Sequence, residues 1–208
     1  MRYEKKFILE KYDLAQLRAW IMLHTAAFRV AFPRRLVQNI YFDSHDFQAL
    51  EENLAGVSDR KKYRVRWYND ETQAAILECK IKKGLLGEKK TWKLDKLPSN
   101  LLENLSILTK NVEAITTLKL QPTSINRYER EYYESFDRRF RLTIDYNIQY
   151  QQPDYKSAFP THIETPVVLE LKYDAAHEEE AERLFQSFPL RQSRHSKYVN
   201  GVRSEGSL

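Results

Sequence analysis

Five segments of the sequence alternate charged side chains with apolar or aromatic side chains at a period of two. They cover residues 3–7, 63–67, 77–82, 139–145 and 169–173. Successive residues of a β-strand point to opposite sides of the sheet, so each segment predicts a strand with its charges on one face. One such strand is typical of a solvated outer face, but five of them indicate a sheet whose charged side has a function.

The charged faces combine several basic residues with a few carboxylates. Arg64 shares a face with Arg66, Glu78 with Lys80 and Lys82, and Glu170 with Lys172. Fixed cations beside a few carboxylates are what a polyanion together with a divalent metal would need. The pattern therefore predicts a site for a polyanion and a metal on the charged side of the sheet.

The length and composition of the chain fit one ordered domain. The 208 residues are enough for a real core, and a single domain over 1–208 is predicted. With 13 Tyr and 10 Phe beside 5 Gly, the composition favours a strand-rich globular protein. The net charge of +5 is mildly basic, unlike the strongly cationic profile of a dedicated DNA-binding protein, so no nucleic-acid partner is expected.

The single cysteine, Cys79, excludes an intrachain disulfide and a zinc site built on cysteines. It lies on the face opposite Glu78 and Lys80, so it is predicted to be a small core residue. The sequence has no apolar signal region and no run of about 18 apolar residues, which a membrane span requires. A cytoplasmic, soluble protein is expected.

The remaining patterns predict a largely antiparallel protein with helices between some of the strands. Strands are expected at about 3–10, 37–42, 61–69, 73–83, 87–95, 123–135, 138–149 and 166–173. Helices are expected after Asp13, after Ser44, within 99–119 and over 175–188, and a loop over 150–165. Turn residues at Asn69-Asp70 and from Gly84 to Gly87 indicate that consecutive strands form a meander.

About eight antiparallel strands would suit either a sandwich or a closed barrel. The faces opposite the charges are strongly apolar, as Phe140, Leu142 and Ile144 illustrate. Those faces need helices to cover them, whereas a sandwich would turn its polar faces to solvent. The sequence therefore predicts an α+β fold: an eight-stranded, mainly antiparallel closed β-barrel with a polar interior and helices packed outside.

Eight short motifs, in order from residue 3 to about 203, resemble the VTC domain. They are 3–7, 40–43, 63–68, 77–80, 128–130, 141–145, 169–172 and 196–198. The VTC domain is the polyphosphate-polymerase branch of the triphosphate tunnel metalloenzymes, which are related to the CYTH group. The resemblance implies a tunnel that binds a triphosphate through Arg and Lys, with Mn²⁺ or Mg²⁺ held by carboxylates. It also implies transfer of the γ-phosphate of ATP to a growing polyphosphate chain.

The resemblance also assigns residues to roles. The implied phosphate-binding positions are Lys6, Arg64, Arg66, Lys80, Arg130 and Lys197, with Arg194 as a further basic position; Lys82, Arg141 and Lys172 complete the substrate-binding set. Within it, Arg64, Arg66, Lys80, Arg130 and Lys197 are the expected catalytic residues. One more lysine is expected from the strand after Gly87, and strand parity favours Lys89 over Lys90. Glu170 is the implied metal ligand, with Glu4 and Glu78 in support.

Several alternatives stay open. The wider superfamily begins with Glu-x-Glu-x-Lys, but Arg2 stands at the first position here, which favours a polymerase over a triphosphatase. A metal-dependent triphosphatase and a non-catalytic polyphosphate-binding module would use the same basic site. Glu170 could simply pair with a neighbouring cation. Asp145 is either a carboxylate of the tunnel interior or a turn residue at a strand end.

Overall fold

The computed structural model describes residues 2–9, 14–84, 86–95, 97–153, 166–186 and 192–203. In these residues the strands are β1 (Arg2–Leu9), β2 (Arg29–Asp43), β3 (Asp59–Tyr68), β4 (Ile76–Lys83), β5 (Leu86–Lys93), β6 (Gln121–Glu134), β7 (Phe140–Gln151) and β8 (Val167–Asp174). The helices are α1 (Leu14–Leu23), α2 (Gln48–Leu54), α3 (Leu105–Thr116), α4 (Glu178–Gln186) and α5 (Lys197–Arg203). Eight antiparallel strands with helices confirm the predicted α+β class.

The chain divides into two compact units. The first unit contains Met1–Arg35, Tyr128–Ile148 and Ile163–His195, and the second contains Leu36–Arg127, Gln149–His162 and Ser196–Leu208. Strands β2, β6 and β7 each contribute one part to the first unit and one part to the second. The first unit also holds β1, β8, α1 and α4, and the second holds β3, β4, β5, α2, α3 and α5.

In the first unit, β8 pairs antiparallel with β1 on one side and with β7 on the other. The alternation of the sequence places the apolar side chains of these strands on one face, where Phe7, Leu142 and Leu169 are buried. Leu17 of α1 and Leu184 of α4 belong to the same buried cluster. The helices therefore cover the apolar face of this sheet, as the sequence predicts.

In the second unit, β2, β3, β4 and β5 form consecutive antiparallel pairs. Their apolar face buries Val65 and Leu77, which are fully inaccessible to solvent, against Leu108 and Val112 of α3. Burying a Val or Leu side chain contributes about 1.5–3 kcal/mol, so this layer supplies much of the stability of the unit. Cys79 is buried on these strands as predicted.

The tight turns fall where the sequence predicts them. Asn69 follows β3 with φ 48°, and Gly84 follows β4 with φ 59°. Gly is the residue that adopts such left-handed backbone angles at least cost, and Asn tolerates them better than most others. Between β6 and β7, Ser135 and Asp137 hydrogen-bond through their side chains at 2.6 Å, while Arg138 takes φ 61°.

Some boundaries differ from the prediction. Strand β2 begins at Arg29 rather than at residue 37. The sequence did not predict its first half, because those residues are mostly exposed, contain Pro33 and lack the apolar alternation that identifies a strand. The leucine-rich stretch 99–119 yields a helix only over Leu105–Thr116. Strand β7 continues to Gln151, so the predicted loop starts later. Asp13 and residues 154–165 of that loop lie outside the described residues.

Helix α2 is held at its start by two side chains. The residue at the N-cap position is Phe47, with φ 56°, rather than the predicted Ser44, but the hydroxyl of Ser44 accepts a hydrogen bond from the backbone of Gln48 at 3.0 Å. The carboxylate of Asp43 accepts two more, from the backbones of Ala49 (2.9 Å) and Leu50 (3.0 Å). None of the helices in the described residues is long and apolar enough to cross a membrane.

Candidate functional site

The first unit presents a charged face on β1, β8 and β7, opposite its apolar core. In the strand register, Glu4 lies opposite Lys172, and Lys6 lies opposite Glu170. Residues of opposite sign therefore face each other across the strand pair, an arrangement that stabilises a sheet. Arg141 lies on the other side of Lys172 and is exposed.

Glu170 is the centre of this face. Its side chain is only 6% exposed, and its Oε1 forms an ion pair with Lys172 Nζ at 2.5 Å. The ammonium of Lys6 lies 3.8 Å from the other carboxylate oxygen, and the guanidinium of Arg130 lies 4.0 Å from it. The structure thus brings three of the predicted phosphate-binding cations to the predicted metal ligand.

Glu4, two residues before Lys6 on β1, also lies close to two lysines. Its carboxylate lies 3.2 Å from the Lys6 ammonium and 3.9 Å from that of Lys172. Two lysines therefore bridge two carboxylates on neighbouring strands. Lys6 also donates a hydrogen bond to the backbone carbonyl of His195 at 3.0 Å, which fixes its position further.

Arg130 and Asp145 form a buried, two-pronged ion pair on the same unit. The Nη2 of Arg130 lies 2.6 Å from one oxygen of Asp145, and its Nε bonds to the other. Burial alone would lower the pKa of Arg130, but Asp145 raises it well above its usual value. Asp145 lies within β7 and is fully buried, so the alternative of a turn residue at a strand end is wrong.

The first unit offers Glu4 and Glu170 as carboxylate ligands for a divalent metal. No group of three or more His, Cys, Asp or Glu suited to a metal occurs among the described residues. Mg²⁺ is commonly bound by one or two carboxylates together with phosphate oxygens of the substrate, so the pair fits that mode. Across from Glu170, the buried hydroxyl oxygen of Thr143 lacks a hydrogen-bond partner within the described part of the chain.

The second unit presents its charged face on β3, β4 and β5. Arg64 lies opposite Glu78, and Arg66 lies one step along β3 on the same face. The Glu78 side chain is 1% exposed and binds Arg64 Nε at 2.7 Å and Lys89 Nζ at 2.6 Å. Burial alone would raise the pKa of Glu78, but Arg64, Arg66 and Lys89 lower it well below the usual range. Glu78 therefore stays ionised at neutral pH.

Amide and hydroxyl groups accept hydrogen bonds from Arg64 and Arg66. Arg66 donates to the amide oxygen of Asn39 at 2.7 Å, and Asn39 donates to the amide oxygen of Asn126 at 2.8 Å. Arg64 donates to the hydroxyl of Tyr41 at 3.2 Å. These contacts fix the direction of both guanidinium groups, which is a requirement for binding a phosphate in one orientation.

Lysines occupy the rest of this face. Lys80 lies opposite Lys62 on β3 and opposite Lys89 on β5, and Lys82 lies one step further along β4. Lys90 is paired with Cys79 and therefore points to the opposite face. The structure thus places Lys89, rather than Lys90, on the face of Glu78.

The C-terminal positions divide between the units. Arg194 lies in the first unit and is exposed, while Lys197 lies in the second unit, is buried and begins α5. The next residue, Tyr198, stacks on Tyr41 with ring centroids 5.3 Å apart and hydrogen-bonds to Asp43. Helix α5 thereby contacts the residue that holds Arg64.

The site residues that the sequence did not reveal are uncharged ones. The arginines are contacted or oriented by Asn39, Asn126 and Tyr41. These side chains carry no charge, so a search for alternating charges does not detect them. A signal was present for Asn39, since it lies between apolar residues of a predicted strand and is fully buried. A buried amide requires hydrogen-bond partners, and here the partner is an arginine.

The comparison with protein families agrees with the sequence motifs. The VTC domain model matches residues 1–205, and the chain therefore belongs to the VTC domain family. This confirms the resemblance that the short motifs indicated. Membership points to an enzyme that transfers phosphoryl groups or acts on triphosphates.

Two solved structures share the fold at low sequence identity. A candidate adenylate cyclase from Vibrio parahaemolyticus superposes with a TM-score of 0.56 at 13% identity, covering 93% of this chain and 94% of that one. The Schizosaccharomyces pombe Mediator head module gives a TM-score of 0.52 at 9% identity, covering 92% and 96%. The two are different kinds of protein, so the likeness concerns the fold alone. A comparison with curated protein sequences gave no match.

Proposed function

We propose that this protein is a polyphosphate polymerase that transfers the γ-phosphate of ATP to a growing inorganic polyphosphate chain. The observation that carries the proposal is the pair Arg64 and Arg66, held by Glu78 and by Asn39 on a face that is otherwise rich in lysine. Membership of the VTC domain family supports it. We further propose that the sheet closes into a tunnel whose interior is lined by the charged faces.

Phosphoryl transfer requires the protein to align the reactants and stabilise charge, and it requires no nucleophile from the protein. Phosphoryl transfer loads negative charge on the oxygens of the transferred group, and catalysis is chiefly alignment and electrostatic stabilisation. Arg64, Arg66 and Arg130 supply planar, two-pronged donors, while lysines act as point charges. Lys6, Lys80 and Lys197 are the lysines to which we assign this role. The attacking oxygen comes from the end of the polyphosphate acceptor.

We assign the divalent cation, Mn²⁺ or Mg²⁺, to Glu170 with Glu4 in support. When bound, it neutralises part of the charge of the triphosphate. Glu78, the third predicted metal carboxylate, lies on the second unit, and we assign it the role of holding Arg64 and Lys89 in place. We assign Lys6 and Lys172, which contact both of these carboxylates, to phosphate oxygens beside the metal.

The direct test is incubation with ATP and Mn²⁺, followed by gel electrophoresis that resolves long-chain polyphosphate from free phosphate. A polymerase gives a ladder of long chains and ADP. A triphosphatase gives ADP and free phosphate without chains, and a non-catalytic binding module leaves ATP intact. Either of the last two results would overturn the proposal.

A variant locates the metal within the same assay. Glu170→Gln keeps the size of the side chain and removes its charge, so metal-dependent turnover should be abolished while the protein stays folded. Glu88→Gln is the matched control, because Glu88 is exposed on the opposite face of β5. Undiminished turnover by the Glu170→Gln variant would show that the metal is held elsewhere.

A further inference from the structure

Two aromatic side chains of the first unit meet where β2 lies beside β6. The rings of Phe32 on β2 and Tyr132 on β6 have their centroids 5.9 Å apart, at an interplanar angle of 84°. Tyr132 is half-buried, whereas Phe32 is 53% exposed. Phe28, four residues before Phe32, lies in the buried cluster of the unit. The ring of Phe32 therefore contributes little to the core and offers a flat apolar surface to a ligand.

Arg35 adds a planar charged group to this pair. The central carbon of its guanidinium lies 5.6 Å from the centroid of the Phe32 ring and 5.8 Å from that of Tyr132. A guanidinium stacks on flat rings and also carries N–H donors along its edge. We call Phe32, Arg35 and Tyr132 the aromatic cluster. It combines stacking surfaces with hydrogen-bond donors.

This combination suits a nucleobase. Every base has a flat π-face, and proteins hold unpaired bases by stacking them on aromatic rings or on the guanidinium of arginine. The ring nitrogens and carbonyl oxygens of a base accept the hydrogen bonds that Arg35 can donate. The positive charge of Arg35 disfavours a cationic ligand, which an aromatic cluster without it would attract.

The aromatic cluster is continuous with the charged face of the first unit. On β6, Tyr132 follows Arg130 by two residues, so the two point to the same side of the strand, roughly 7 Å apart along it. Arg130 lies 4.0 Å from Glu170, which we assign to the metal. A nucleotide has the same order of parts, with phosphates, a sugar and a base. The cluster thus lies at a distance from Arg130 that one sugar can bridge.

We infer that the aromatic cluster binds the base of the nucleotide donor by stacking. The inference rests on the proposed function, which it deepens by assigning the nucleoside part of the donor to residues outside the phosphate-binding set. Stacking tolerates different bases, because each has a π-face. ATP and GTP should therefore bind alike, and UTP, with its smaller ring, should bind more weakly.

The test compares the β,γ-imido analogue of ATP with inorganic triphosphate in calorimetric titrations at a fixed Mn²⁺ concentration. Phe32→Ala should weaken binding of the ATP analogue about tenfold, since this is the scale of the loss when a stacking ring is removed. Its affinity for triphosphate should change by less than about twofold. Phe32→Trp should bind the analogue as the wild type does. The matched control is Phe136→Ala, which removes a ring that is 74% exposed on the turn after β6.

A second variant separates stacking from charge. Arg35→Lys keeps the positive charge and removes the planar group, so it should weaken binding of the ATP analogue severalfold and leave triphosphate binding unchanged. The loss in Phe32→Ala should also be the same at two salt concentrations, because salt screens charged contacts and not stacking. A loss that disappears at high salt would overturn the inference.

Lost binding must be distinguished from a damaged fold. Thermal melting of Phe32→Ala without ligand should match that of the wild type, because the ring is half exposed. In the synthesis assay, Phe32→Ala should raise the KM for ATP about tenfold with little change in kcat. Equal losses of affinity for the ATP analogue and for triphosphate would overturn the inference, and so would an equal loss in the Phe136→Ala control.

The outcomes separate this inference from the proposed function. If the wild type makes polyphosphate from ATP but Phe32→Ala binds the ATP analogue as tightly as the wild type does, the inference fails alone. If Phe32→Ala loses affinity for the analogue and keeps it for triphosphate, but the wild type makes no chain, the proposed function fails alone.

Discussion

The charged faces of the two units look alike along each strand and differ across strands. On the first unit, residues of opposite sign face each other between β1 and β8, as Lys6 and Glu170 do, and Arg141 on β7 beside Lys172 is a like-charged pair. On the second unit, Lys80 has lysines on both sides. Opposite charges therefore alternate between β1 and β8 on the first face, whereas like charges lie side by side around Lys80 on the second. The position of a charge in the register, more than its presence in a strand, decides which charges lie beside it.

The largest effect is expected where a buried pair of the first unit is broken. Arg130→Ala would leave the fully buried carboxylate of Asp145 uncompensated, which costs about 3–5 kcal/mol in the free energy of unfolding. Urea denaturation measures this. Arg141→Ala is the control, since Arg141 is exposed on the same unit. Similar losses in the two variants would show that the pair does not stabilise the fold.

In the second unit, the corresponding test concerns Glu78 and pH. Its pKa is lower in the folded protein than in the unfolded chain, so its stabilising effect is present above the unfolded pKa, near 4.5, and is lost as the pH falls through the folded pKa. Glu78→Gln should reduce the free energy of unfolding by about 2–3 kcal/mol at pH 7.

The difference between the Glu78→Gln variant and the wild type should shrink in denaturation curves recorded from pH 5 towards pH 2. The exposed Glu88→Gln variant provides the baseline for mutating a carboxylate on these strands. A difference that stays constant over this range would mean that Glu78 is not held ionised by its neighbours.

Ligand binding sharpens the comparison within one strand. Arg64→Ala and Arg66→Ala should each weaken triphosphate binding by about 1.5–3 kcal/mol, the contribution of a hydrogen bond to a charged group. Lys61 lies on the opposite face of β3, so Lys61→Ala should cost well under about 1 kcal/mol and lose its effect in salt. Calorimetric titration at two salt concentrations measures both. Equal losses at the three positions would contradict a site on one face.

The smallest effect has the opposite sign. Lys80→Ala removes a charge that lies between two lysines, so it should raise the free energy of unfolding by up to about 0.5–1 kcal/mol in the absence of ligand. The gain should diminish at high salt, because salt screens the repulsion. Lys90→Ala, on the opposite face of β5, should show no gain. A loss of stability in the Lys80→Ala variant would argue against repulsion on this face.

The order and the faces of the strands could be predicted from the sequence, because a period of two is a local property. Arg64 and Arg66 share a face in any strand that contains both. The hairpin at Asp137 and the turn at Gly84 could be predicted for the same local reason, since few residues suit a tight turn. Family motifs then placed Glu170 and Arg130 in one site, where the structure brings them within 4.0 Å.

The register between strands could not be predicted, and it decides the partners of every charge. Nothing in the sequence indicates that Lys80 lies beside Lys89, or that Asp145 binds Arg130. Helix α5 was also missed, because its seven residues are too few to show a helical period. Such a short helix owes its stability to contacts such as Tyr198 on Tyr41, which only the folded chain creates.

The central claim, that the second unit's face is a receptor for phosphate chains, is tested most directly by melting the protein with inorganic triphosphate against sodium chloride of equal ionic strength. Any ligand that binds only the folded state stabilises it by mass action. At roughly a hundredfold excess over Kd, triphosphate should raise the Tm of the wild type by about 5–10 °C more than the salt does. The Arg66→Ala variant should lose most of that difference. Equal Tm values in triphosphate and in sodium chloride would contradict the account.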